Sequence, residues 1–142
     1  MTSREYLCQA YRLDQKIDSN IREVSYLRKM MGSISSPVLG DKVQTSRPAE
    51  APFVRSVEKI MALEEKINSE IDLLVSLKEQ MRDVIAAVPD TDERMVLRYR
   101  YIHNLTWEQI GNELNADKST IRRWHGSALT HVVLPEDPIK IF

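Results

Sequence analysis

The stretch from Leu105 to Trp124 limits the fold more than any other part of the chain. Thr106 is placed to cap a helix, and Gln109, three residues on, can reach back to complete a capping box. Ile110 and Leu114 follow at helical spacing. Asn115-Ala116-Asp117 then reads as a tight turn, with Asp117 as the N-cap of a second helix. In that helix Ile121, Trp124 and Ala128 fall on the inner side. Lys118, Ser119, Arg122, Arg123 and Ser127 fall on the outer side. The pattern is a helix-turn-helix ending on a basic face. A short amphipathic helix backed by another is what the major groove of DNA accepts.

Two longer helical patterns precede it. From about Ser3 to Met31, Tyr6, Ala10, Leu13, Ile17, Val24, Leu27 and Met31 recur in steps of three and four, with a polar break at Asn20. Ser3 is a candidate cap and Gly32 a candidate stop. The segment 32–52 is rich in Ser, Pro and Gly without hydrophobic period, and reads as a flexible linker of about twenty residues. A second helix is expected over Phe53 to Val88, with its seam at Ile60, Leu63, Ile67, Leu74, Leu77, Met81, Val84 and Val88. Ile71 and Ile85 widen that seam, and charged residues including Glu70 lie around it. Pro89 closes the helix, and Asp90-Thr91-Asp92 caps a further one over Glu93 to His103.

The expected fold is therefore all-α. A long, coiled-coil-like antiparallel hairpin occupies residues 1–88, a helix-turn-helix domain residues 89–134, and a tail residues 135–142. The broad stripe on the second helix needs a further partner. A second copy, in a four-helix dimer, is the expected partner; the C-terminal domain folded back upon the stripe is the alternative. The tail cannot continue a helix past Pro135, and its apolar Ile139, Ile141 and Phe142 fit either packing on the motif or docking on a partner.

Charge supports the placement of the interface. The chain as a whole has net charge −1. Between residues 94 and 131, six basic residues (Arg94, Arg98, Arg100, Lys118, Arg122 and Arg123) stand against Glu108, Glu113 and Asp117, a net +3. The remainder sums to −4, so positive charge is concentrated at the motif. The residues expected to contact DNA are Thr106, Trp107, Lys118, Ser119, Thr120, Arg122, Arg123 and Ser127. Arg122 and Arg123 are about 100° apart on the helix, so one can enter the groove while the other grips phosphate. Trp107 fits either the DNA backbone or the edge of the core. Arg94 and Arg98 share a face and fit either the flanking DNA backbone or pairing with Asp90 and Glu93.

Other chemistry is not indicated. His103, His125 and His131 have no metal-ligand spacing with one another or with the lone Cys8, and structural or phosphate-contacting roles are expected for them. His125 is expected to border the recognition surface. No nucleophile–base arrangement or glycine-rich phosphate loop occurs, so neither an enzyme nor a cofactor is expected. No signal-like apolar run opens the chain and no stretch approaches a membrane span, which makes cytoplasmic residence the expectation.

Residues 94–133 resemble the C-terminal DNA-reading region of sigma factors, region 4. Leu105-Thr106, Glu108, Ile110, Leu114, Ile121-Arg122 and Ala128-Leu129 fall on that pattern in register. Two positions depart from it: Asn115 stands where many sigma sequences have Gly, and Ser119 where they have Glu. Asn tolerates a left-handed turn, whereas the loss of Glu implies a different target sequence. The whole chain resembles small phage transcription regulators of Gram-positive hosts, the autolysin-regulator-like late-gene activators. Thr2-Ser3-Arg4-Glu5-Tyr6-Leu7 and Ile121-Arg122-Arg123-Trp124-His125 carry that likeness. It implies activation of late phage genes, with host RNA polymerase as a further partner; the protein expected is a homodimer, joined through the helical hairpin, that binds double-stranded DNA through the helix-turn-helix. Two other readings stay open: a phage small terminase subunit binding packaging-site DNA, and a polymerase or sigma interaction module that does not bind DNA.

Overall fold

The structure of the chain is a computed structural model, and it describes residues 1–38 and 46–142, with side chains described outside residues 33–53. The fold is all-α: helices α1 (Ser3–Val38), α2 (Ser46–Ala86), α3 (Thr91–Leu97), α4 (Trp107–Leu114) and α5 (Lys118–His131), and no strand among the described residues. α3 continues directly into a π-helical segment, Arg98–Ile102.

The boundaries of the long helices differ from the sequence expectation. The capping residue of α1 is Thr2, not Ser3: its hydroxyl accepts from the Glu5 amide at 3.1 Å, and the Glu5 carboxylate accepts from the Thr2 amide at 3.3 Å. Gly32 does not end α1, which runs on to Val38. A glycine weakens a helix by about 1 kcal/mol relative to alanine, and neighbouring backbone bonds can carry a helix through it. α2 begins at Ser46 rather than Phe53, so Pro48 falls in its first turn, where no intrahelical N–H is required. The linker expected over 32–52 is thus shortened at both ends; its centre, 39–45, lies outside the described residues.

The chain divides into two compact units, and the division does not fall at residue 88. One unit comprises Gln15–Asp72, the other Met1–Asp14 together with Leu73–Phe142. In the first, α1 and α2 run antiparallel along the expected seam, with Ile17, Val24, Ile60 and Ile67 buried. Asn20, the polar break, has its partner in Glu70: the Asn20 amide donates to the carboxylate at 2.8 Å, and Lys16 lies 3.2 Å from it. Glu70 was expected around the seam; instead it lies within it, 8% exposed. Arg28 pairs with Glu64 farther along.

In the second unit, one cluster gathers Tyr6, Leu7 and Ala10 of α1 with Leu77, Met81, Val84 and Ile85 of α2. Leu97, Tyr101, Ala128 and Val132 close over it. Folding back is therefore how the chain covers the stripe at Met81 and Ile85, whereas Ile71 remains exposed. Arg94 braces the connection between α2 and α3 by donating to the Val88 and Pro89 carbonyls at 2.8 and 3.1 Å. Lys78 donates to the Ile102 carbonyl at the end of the π-helical segment. The tail packs back on this cluster through Leu134, Ile139 and Ile141. No described helix is long and apolar enough to cross a membrane.

Candidate nucleic-acid interface

α4 and α5 are set by the caps the sequence encodes. Thr106 accepts from the Gln109 amide at 3.2 Å, and the Gln109 side chain accepts from the Thr106 amide at 2.9 Å. Asn115 takes the left-handed conformation at φ 52° and ends α4. Asp117 caps α5 by accepting from the Thr120 amide at 2.8 Å. The Thr120 hydroxyl and amide, then the Ser119 hydroxyl, hold the Asp117 carboxyl below the usual carboxylate range.

The turn between the helices is tight because of Gly111. Its carbonyl accepts from the Ala116 amide at 3.0 Å. A Cβ at Gly111 would lie 2.6 Å from the Ala116 carbonyl oxygen, closer than real side chains approach backbone. Behind the turn, Ile110, Ile121 and Val96 form a core from which water is excluded, with Leu105, Trp107, Leu114, Ala116 and Trp124 packed around it.

This packing turns one side of α5 outward. Lys118, Ser119, Arg122, Arg123 and Ser127 are all exposed, and no ion pair among the described residues engages Lys118, Arg122 or Arg123. Gly126 lies on the same side, and a Cβ there would meet nothing within 4 Å. A mid-helix glycine that the fold does not require leaves the surface low for an approaching partner.

The other expected contact residues are placed differently. Thr120 is half-buried and bound up in the Asp117 cap. Thr106 is exposed at the start of α4, its hydroxyl engaged in the capping box. Trp107 is half-buried and covers the core edge. The Arg100 guanidinium lies 4.2 Å above its ring, and the His125 ring meets it edge-on at 4.7 Å between centroids. Arg100 also donates to the Leu105 carbonyl at 3.0 Å, and Arg94 is committed to the carbonyls of the α2–α3 connection. Neither belongs to the free basic face.

His125 does not border the outer surface. It is 8% exposed, with Nε2 2.6 Å from the Tyr101 hydroxyl. Burial first, then the positive charges of Arg4 and Arg100, lowers its pKa to about 4. Burial also raises the Tyr101 hydroxyl to about 12. The unfolded chain therefore takes up a proton at His125 as pH falls below about 6.5, while the folded chain resists until about 4. Stability should decline across that window and be unaffected by this group above it. Thermal melts of the wild type and His125→Gln between pH 7.5 and 4 check this: the substitution should flatten that part of the decline. His131, at the end of α5, sits 2.5 Å from the buried Glu93 carboxylate. No group of His, Cys, Asp and Glu among the described residues is arranged to hold a metal ion.

The arrangement is thus a capped pair of helices with a rigid core and an outward basic edge. Residues 6–132 match a family described as a protein of unknown function, DUF722. No curated protein matches the chain, and no solved structure does. With nearly its whole length covered by that match, the chain belongs to the DUF722 family.

Proposed function

We propose that the protein is a sequence-specific DNA-binding transcription regulator whose α5 enters the major groove while α4 braces it from behind. The observation that carries the reading is the exposed Lys118, Arg122 and Arg123, in no ion pair among the described residues, on a helix whose opposite side is locked into a core. Arg pairs bidentately with guanine, and Lys and Ser supply less selective contacts. Gly126 leaves room for close approach along the same side. The resemblance to sigma region 4 and to autolysin-regulator-like phage proteins supports the same role and makes late-gene activation its form. The reading places the protein in the cytoplasm, with host RNA polymerase as a further partner.

It also includes a homodimer. Ile60, Ile67 and Met81 are taken up inside the chain, so the dimer surface on α2 falls to the side that stays exposed at Val54, Met61 and Ile71. Two copies present two α5 helices to one duplex and bind more tightly than one through effective concentration.

Selection from a random duplex pool, followed by binding across salt concentrations, tests the reading. Neutralising roughly 4–8 phosphates per dimer gives a log–log affinity slope of about −4 to −7. One preferred site should survive competition from random duplex. A slope near zero would remove DNA as the ligand, and a steep slope without a preferred site would leave only nonspecific binding.

A further inference from the structure

Residues 137–141 are held along their backbone by two side-chain amides, Gln9 and Gln80. Gln9, 4% exposed, donates from its amide nitrogen to the Ile139 carbonyl at 2.8 Å and accepts from the Ile141 amide at 2.7 Å. Gln80 accepts from the Ile139 amide at 3.0 Å and donates to the Asp137 carbonyl at 3.2 Å. The Gln9 amide is braced by the Tyr6 carbonyl at 3.2 Å, and the Gln80 oxygen by the Tyr6 hydroxyl at 2.7 Å.

All four bonds to the tail go to its backbone. Two side-chain amides thus do for residues 137–141 what a neighbouring strand does in a sheet. Side-chain selection is left to Ile139 and Ile141, two residues apart. They turn to the same side of an extended segment and pack on the cluster of Tyr6, Ala10, Leu77 and Met81. Lys140, between them, is exposed. Such a site asks of its occupant an extended backbone and apolar residues at alternate positions.

We propose that Gln9, Gln80 and the surrounding apolar cluster form a peptide-docking site for an extended apolar–x–apolar segment, and that Ile139-Lys140-Ile141 of this chain is its detachable occupant. Pro135 and Pro138 favour this, because they keep the connection from Val132, which bends at Glu136–Asp137, outside any helix that would bind it more firmly. The tail competes for its own site at an effective concentration on the order of millimolar, as short tethers do.

Full-length chain carrying Ile139→Asp and Ile141→Asp leaves the site empty while keeping every residue that forms it. A fluorescent peptide of residues 135–142 should bind this variant saturably. It should bind the wild-type chain at least about tenfold more weakly, because the tethered tail occupies the site. Adding Gln9→Ala or Gln80→Ala to the variant should weaken the peptide about tenfold, the usual effect of losing a buried hydrogen bond. A variant that keeps its helical circular dichroism and cooperative melt yet binds no peptide would overturn the proposal. Hydrogen exchange on the wild type decides independently of how the variant folds. The Ile139 and Ile141 amides should be protected, yet exchange by local opening well before those of Leu77 and Met81. Exchange of all four at one common rate would make the tail an integral part of the core and would equally overturn it.

Discussion

Replacing Arg122 and Arg123 together with alanine should weaken binding to a selected DNA site by a hundredfold or more, on the order of two bidentate contacts. Each single replacement should cost about 1–3 kcal/mol where it removes a base contact, and should relax preference at that base. The pair need not be additive, because neighbouring contacts couple. Folding should scarcely respond, since both side chains are exposed and such changes usually fall within about 0.5 kcal/mol. Fluorescence anisotropy and a thermal melt on the same preparations separate the two effects. Wild-type affinity in the double variant would mean that α5 is not the recognition helix. A lost fold would mean that the arginines are structural.

The second large effect is expected at Gly111. A methyl group there meets the Ala116 carbonyl oxygen at 2.6 Å, and that oxygen belongs to the backbone of the turn and cannot swing aside. Gly111→Ala gains up to about 1 kcal/mol in helix propensity but overpacks the turn at a cost of about 1–3 kcal/mol. Gly111→Val adds bulk at a branched Cβ and should destabilise by about 3 kcal/mol. DNA affinity should fall with it, because the turn sets how α5 is presented. Chemical denaturation gives the loss, and Gly126→Ala is the control. At that open position the same change should be neutral or stabilising by up to about 1 kcal/mol. Equal stability of the wild type and Gly111→Val would contradict the tight turn.

The parts of this architecture that could be read from the chain are those set by local chemistry. A capping box needs two residues three apart, and Thr106 and Gln109 supply them. A left-handed turn needs Gly or Asn, and Asn115 supplies it. The seams of α1 and α2 follow a period of three and four that survives one polar residue, Asn20. What escaped depends on contacts distant in sequence. Glu70 looks like a surface charge until Asn20 and Lys16 are brought to it. His125, next to Trp124 and close to two arginines, looks like part of the outer face. Its burial follows from Tyr101 and Trp107 closing over it.

The helix ends misled for a different reason. Gly32 costs a helix only about 1 kcal/mol, which α1 absorbs, and Pro48 in the supposed linker lies in the first turn of α2, where no N–H is needed. Gly111 did leave a local signal, a glycine inside a strong helical pattern, but only the position of Ala116 explains it. The π-helical segment at Arg98–Ile102 has no such signal in RYRYI. The tail showed its apolar residues plainly, yet nothing local pairs them with Gln9 and Gln80, more than fifty residues away.

The central claim is that the exposed side of α5 reads DNA, and amide chemical-shift mapping of the full chain against a selected duplex tests it most directly. The largest shifts are expected along Lys118–Ser127 and at the start of α4 around Thr106, with the amides of Gln15–Asp72 little changed. A duplex that shifts residues elsewhere while leaving Lys118, Arg122 and Arg123 unmoved, or shifts none, would contradict it.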